Sequence, residues 1–390
     1  MEISGTTLHG GALLTLDIAR GVTTAVERLH GTIARQASGG LLAASGRSAG
    51  PVAGLVYRTI RGSTNGLRFA LDQLGSQFAS GEEPRDRELP AIAALNGVCG
   101  DFLAASGNPL ALPMSFQAAH QDAIASGDIV VMVHGLGLSE RNWLDESGLG
   151  GRLRSDLGAT PIYLRYNTGR HISTNGREFS RMLEELCAGW PVPVNSLTLV
   201  GHSMGGLVIR SACRYAQREN RRWLEQLRGV TCLGSPHHGA PLEKAGAALD
   251  RVLLTLPYTA PLAFGARRSA GVKDLEYGNL LDEDWQGLRH DAPSADRREN
   301  VPLVPGVEYL FIAASVGKHS RDPMGHLFGD LLVRLDSASG EHRDPQRRLP
   351  VEPRCLRVFH EKNHFDLLRD TRVHECIVEW LRQHLSPRHG

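Results

Sequence analysis

The sequence predicts an α/β protein with a mostly parallel sheet and flanking helices, preceded by a helical stretch. Three observations carry this expectation. From Asp128 onward, apolar runs of strand length alternate with longer segments of helical period, the rhythm of strand-crossover-strand units. The run Ile129-Val130-Val131-Met132-Val133 is apolar at every position, as a strand covered on both faces must be. The run Leu197-Thr198-Leu199-Val200 passes directly into Gly201-His202-Ser203-Met204-Gly205-Gly206 and then a helix-forming stretch, the pattern of a sharp strand-to-helix turn.

Taken in order, residues 1–120 read as a helical N-terminal extension. Leu14, Ile18, Val22, Val26, Leu29 and Ile33 recur at helical spacing, as do Val52, Val56 and Ile60, and then Leu67, Leu71 and Leu74. A further helix is expected over Ala91–Leu103, and Ser38-Gly39-Gly40 and Ser80–Glu88 read as linkers. A single amphipathic helix cannot bury its own stripe, so these helices pack on one another or on the sheet. Their functional readings are a cap, a dimer contact or a membrane-surface contact, and the balanced charge argues against the last. Residues 121–390 hold the sheet, with strands expected near 129–133, 161–166, 196–201, 229–234, 308–314 and 355–360 and helices near 172–188, 205–217 and 372–385. The stretch 240–300 interrupts this rhythm with Val252-Leu253-Leu254-Thr255-Leu256 and the turn residues Pro257 and Pro261.

Composition narrows the function classes. The 43 basic and 42 acidic residues give a net charge of +1 with no basic tract, so no nucleic-acid partner is expected. The six cysteines form no Cys-x-x-Cys pair, and several sit in apolar segments, which favours free thiols in a reducing compartment. Met1-Glu2-Ile3-Ser4-Gly5 lacks the basic start of a signal peptide, and no apolar run reaches membrane-spanning length. A cytoplasmic protein is therefore expected.

The Gly-x-Ser-x-Gly turn has a chemical reading. A serine hydroxyl is a weak nucleophile, and it gains reach when it projects from a tight turn with a base on one side and backbone N–H groups on the other. Gly201 and Gly205 keep the flanks small enough for strand and helix to approach. Upstream, Ile129–Val133 runs into His134-Gly135-Leu136-Gly137, a loop able to aim an amide at a reacting carbonyl. The expected oxyanion donors are the backbone N–H groups of Leu136 and of Met204, the residue after the nucleophile.

Val133-His134-Gly135-Leu136-Gly137, Gly201-His202-Ser203-Met204-Gly205 and Gly234-Ser235-Pro236-His237-His238-Gly239 resemble the three local signatures of α/β-hydrolase serine lipases and esterases. Tyr166-Asn167-Thr168-Gly169-Arg170-His171-Ile172 is similar to the bacterial lipase-like branch related to GPI inositol-deacylases. The resemblance covers roughly residues 125–390. It implies an α/β-hydrolase fold and a serine carboxylic-ester hydrolase acting on a small-molecule or lipid ester, with no metal or organic cofactor. It also implies a helical lid at 240–300. The family's order of Ser, acid, His makes His364 the base, in the loop after Arg357-Val358-Phe359-His360; His360, within the strand, is its competitor. The family's acid stands in Asp-Gly-x-Val, with Ser-Ala shortly after. Asp330-Leu331-Leu332-Val333 followed by Ser337-Ala338 matches, except that Leu331 replaces the glycine. Asp336 and Asp322 are the alternatives. The resemblance thus implies a triad of Ser203, Asp330 and His364. Other readings are an acyltransferase, thioesterase or phospholipid deacylase with the same triad, and a non-catalytic scaffold of the same fold. Adjacent His237 and His238 lack a nearby carboxylate or cysteine at metal-ligand spacing and read as packing residues. Trp143 and Tyr166 are candidates to line a pocket or to pack the sheet.

Overall fold

A computed structural model describes residues 4–17, 85–86, 88–118, 125–240, 268–287, 298–319, 322 and 329–385. The sheet strands are β1 (Ser115–Ala118), β2 (Asp128–Val133), β3 (Thr160–Arg165), β4 (Ser196–His202), β5 (Leu227–Leu233), β6 (Glu308–Ser315) and β7 (Leu356–His360). The described helices are α1 (5–17), α2 (Leu89–Ala105), α3 (Leu149–Leu157), α4 (Ile172–Ala188), α5 (Met204–Glu219), α6 (Ala270–Tyr277), α7 (Leu335–Ser339) and α8 (Thr371–Leu385). The six expected strands are present, each within two residues at either end. β1 is an addition that the sequence pattern does not give. The apolar positions expected between Ile18 and Leu74 lie outside the described residues.

The chain divides into two compact units, Met1–Leu89 with Leu103–Ala111, and Pro90–Phe102 with Leu112–Gly390. In the first, Ser4 caps α1, its Oγ accepting from Thr7 N at 3.2 Å. The Glu88 carboxylate accepts from Ser4 N, Ser4 Oγ and Thr7 Oγ1 at 2.6–2.8 Å. A carboxylate at a helix N-terminus is favoured by the helix dipole, so Glu88 does more than link.

In the second unit the strand order is β1-β3-β2-β4-β5-β6-β7. β1 pairs antiparallel with β3, and every other pairing is parallel. Side chains alternate along each strand between two cores. Ile129, Val131 and Val133 pack with Phe179, Leu183, Leu207 and Val208 of α4 and α5. Val130 and Met132 pack on the other face with Leu149, Leu153, Ile377, Trp380 and Leu381 of α3 and α8. Each such side chain contributes roughly 1.5–3 kcal/mol on burial, so both faces need their helices and the strands carry no polar alternation.

The topology also locates the site. The chain leaves β2 toward β3 on one side and returns to β4 on the other. Two neighbouring parallel strands whose connections depart in opposite directions leave a crevice at their carboxyl ends. The His134–Gly137 loop follows β2 and Ser203 follows β4, so both open on that crevice.

Candidate active site

Ser203 sits between β4 and α5 with φ 54° and ψ −122°, a conformation that non-glycine residues hold only under constraint. Its amide donates to Leu233 O at 2.8 Å, and its carbonyl accepts from Gly206 N at 3.1 Å. The close approach explains the glycines. A Cβ on Gly205 would lie 2.3 Å from Val133 O, and one on Gly201 would lie 2.5 Å from Gly206 N. The obstacle is backbone in both cases, so it cannot swing aside.

The loop after β2 lies against this turn, because a Cβ on Gly135 would sit 3.0 Å from Ser203 Cβ. Tyr166 Oη donates to His134 O at 2.7 Å, and Thr168 Oγ1 accepts from Gly137 N at 3.1 Å. Asn167 Nδ2 donates to Gly100 O at 2.8 Å, and Asn175 Nδ2 donates to Asn167 O at 2.9 Å. The run Tyr166-Asn167-Thr168 is therefore a bracket that fixes the loop between α2 and α4. Sequence reasoning singles out this run only by resemblance. Tyr166 is fully buried and Trp143 nearly so, with Trp143 edge-on to His202 at 6.5 Å; both pack rather than line an open pocket. Among the described residues, neither the Leu136 amide nor the Met204 amide has a hydrogen-bond acceptor. Met204 N–H stands at the N-terminus of α5, where the helix dipole favours negative charge.

Asp330 and His364 are brought together. His364 Nδ1 lies 2.6 Å from Asp330 Oδ2, with the two side chains 3% and 1% exposed. Asp330 Oδ1 accepts from Leu332 N at 3.0 Å and from Val333 N at 2.7 Å. His364 N donates to Asp330 O at 3.2 Å. Both carboxylate oxygens are thus occupied, which fixes the orientation of the acid. The His364 ring packs on Gly234, where a Cβ would come within 3.0 Å, and lies 4.7 Å from the His202 ring. Among the described residues Ser203 Oγ makes no hydrogen bond; such contacts commonly tighten only when substrate is bound.

His202, expected to pack, also positions. Its Nε2 bonds His364 O at 3.2 Å. Burial, and then the nearby His364, hold its imidazole well below the usual histidine range, so it stays neutral. The two competing acids bind backbone amides, and the competing histidine stays in its strand. His360 ends β7 in register with Ser315. Asp336 caps Ser337 N at 2.9 Å, and Asp322 accepts from Lys318 N at 2.9 Å.

Leu331 explains how the loop survives without the family's glycine. It has φ 80°, the left-handed region, and its side chain is 43% exposed. The leucine keeps a glycine's conformation at a penalty of about 1–2 kcal/mol. Leu331→Gly should raise stability by about 0.5–1 kcal/mol once glycine's extra chain entropy is subtracted. Thermal unfolding checks this, and a lowered Tm would mean that the exposed side chain holds the loop.

The 240–300 insertion is described in part. Leu253, Leu254, Leu256, Leu262 and Phe264 lie outside the described residues. The described part is tied down: Ser269 Oγ donates to Gly97 O at 2.7 Å, and Asp274 Oδ2 accepts from Ile172 N at 2.9 Å. His171 stacks on Trp285 at 3.6 Å.

His237 and His238 have no metal-ligating company, since no group of three or more His, Cys, Asp or Glu side chains suited to a metal occurs among the described residues. His237 stacks on Phe311 at 4.4 Å. Among the described residues no helix is long and apolar enough to cross a membrane.

Residues 125–253 match the family model described as PGAP1-like alpha/beta domain. No curated protein matches the chain. Among solved structures, the mature Bacillus licheniformis lipase BlEst2 is similar at 18% identity, covering 68% of this chain and 98% of its own, with a TM-score of 0.45. Aspergillus fumigatus lipase B is 13% identical over 68% of this chain and 56% of its own, with a TM-score of 0.42. The Pyrococcus furiosus esterase Pf2001 is 12% identical over 67% of this chain and 83% of its own, with a TM-score of 0.37. The matched family segment takes in β2 through β5, and with them the crevice where the strand connections diverge and the serine turn; over that segment the chain resembles PGAP1-like alpha/beta domains.

Proposed function

We propose that the chain hydrolyses carboxylic esters through an acyl-enzyme on Ser203. The observation that carries this is the buried 2.6 Å bond between His364 and Asp330, beside a serine held at φ 54° on a strand-helix turn. With Nδ1–H given to Asp330, the imidazole keeps its lone pair on Nε2. That nitrogen takes the Ser203 proton as Oγ attacks the carbonyl carbon. Negative charge then moves to the carbonyl oxygen. The amides of Leu136 and Met204, which have no acceptor of their own among the described residues, are the donors that would stabilise it. The imidazolium, steadied by Asp330, protonates the departing alcohol. The neutral imidazole so regenerated then takes a proton from water, which attacks the acyl-enzyme; returning that proton to Ser203 Oγ releases the acid and restores the serine.

A fluorophosphonate probe tests the reading directly, because phosphonylation needs a serine activated in this way. The expected result is stoichiometric labelling, with the added mass on the peptide bearing Ser203 and none in Ser203→Ala. Folded protein that takes no label would refute the proposal and leave a hydrolase-fold scaffold as the better description.

A further inference from the structure

A buried carboxylate of the 240–300 insertion takes no part in the proposed reaction. Asp274, on α6, is fully buried. Its Oδ2 accepts from Ile172 N at 2.9 Å and from His171 Nδ1 at 2.9 Å. Its Oδ1 accepts from Asn279 Nδ2 at 3.0 Å. Ile172 opens α4, so the carboxylate lies at that helix's N-terminus, where the helix dipole favours negative charge. Trp285, also of the insertion, fastens the same turn: its ring stacks on His171 at 3.6 Å, and its Nε1 donates to Ser173 Oγ at 3.0 Å.

The residues just before Ile172 form the bracket on the loop after β2. Tyr166 Oη donates to His134 O and Thr168 Oγ1 accepts from Gly137 N, so the chain on both sides of Leu136 is tied to this bracket. α6 lies directly against it. Gly271 N donates to Gly169 O at 3.0 Å, and a Cβ on Gly271 would stand 2.0 Å from Thr168 O. Asn167 is held separately, by Gly100 and Asn175. The stretch from Thr168 to His171 is therefore the part that α6 sets, and it carries the acceptor for Gly137 N.

We infer that Asp274 is a positioning residue for the reaction proposed above: by fixing the stretch from Thr168 to His171, it aims the Leu136 amide at the carbonyl oxygen. The inference rests on the reading of that amide as an oxyanion donor. Such a donor works only within hydrogen-bond distance of the developing charge, and a misplacement of about 1 Å can cost on the order of 10²-fold in rate. Asp274, being fully buried, acts only through its ties to the start of α4.

The test measures p-nitrophenyl butyrate hydrolysis per active site, with sites counted by fluorophosphonate titration, in the full chain, Asp274→Ala, Thr168→Val and the double variant. Asp274→Ala should lower kcat by about 10- to 100-fold and change KM by less than about threefold. A trifluoromethyl ketone, which forms a tetrahedral oxyanion adduct on a serine, should bind more weakly by a similar factor. Both substitutions act on one loop, so the double variant should be at most about twofold slower than the slower single. A carboxylate that serves only the fold would lower Tm and the number of active sites but leave kcat per site at the wild-type value, and that result would overturn the inference. Losses that multiply in the double variant, or unchanged ketone affinity, would overturn it too. A folded wild type that takes no label would instead refute the ester-hydrolase reading itself. Should Asp274→Ala not fold, His171→Phe decides, since it keeps a ring on Trp285 and cuts one tie to Asp274. A kcat lowered by about threefold or more, with ketone binding weakened equally, supports the role of Asp274, and a wild-type kcat overturns it.

Discussion

Ser203→Ala should give a folded protein whose ester turnover has fallen by about 10⁴- to 10⁶-fold. The loss is large because the serine is the only nucleophile in the proposal; without it the donors and the base can act only on water. Some rate over the uncatalysed reaction should persist, on the order of 10³-fold, from the Leu136 and Met204 amides and from binding. The fold should not suffer. Ser203 Oγ makes no hydrogen bond among the described residues, and the turn is held by Ser203 N to Leu233 O and by close glycine contacts that alanine leaves in place. Alanine at φ 54° carries the same backbone strain as serine. Steady-state hydrolysis of a p-nitrophenyl ester and a melting curve check the two halves. An unaltered melt with more than about a tenth of wild-type activity would mean that another group attacks the ester.

How far the site is legible in the sequence depends on how local its determinants are. The serine turn is written in five consecutive residues, because backbone-to-backbone contact at Gly201 and Gly205 admits no side chain. The strands before and after it are legible because burial on both faces removes polar alternation. Asp330 is reachable only through resemblance. The loop's left-handed position carries Leu331 instead of glycine, and nothing in local propensity announces a leucine at φ 80°. β1 escapes because a short, partly exposed run pairing antiparallel with β3 alone makes no periodic signal. The bracket made by Tyr166, Asn167 and Thr168 is visible as a motif, but its action rests on hydrogen bonds to Gly100, His134 and Gly137, between 31 and 67 positions away. Such contacts are set by tertiary approach and leave no spacing rule behind.

Asp330→Asn should cut turnover by about 10³- to 10⁴-fold with little change in fold, and Asp336→Asn should leave it nearly intact. The two positions separate because of what each carboxylate touches. In the Asp330→Asn variant the new amide could still accept from Leu332 N and Val333 N through its carbonyl oxygen, so the loop would hold. Its NH₂ would then face His364 Nδ1, which would have to accept a hydrogen instead of donating one. The ring proton would move to Nε2, the nitrogen required to be empty, and the base would be lost without any visible displacement. Asp336 caps only Ser337 N, which asparagine also does. Dependence on Asp336 with indifference at Asp330 would mean that the acid has been assigned to the wrong loop position. A double variant sharpens the test. Asp330 acts only by setting His364, and His364 acts only on the serine and its acyl-enzyme, so Ser203→Ala with Asp330→Asn should be about as slow as Ser203→Ala alone. Losses that multiply would show the two residues acting on separate steps, and the bond between His364 and Asp330 would then be a feature of the fold and not of the reaction.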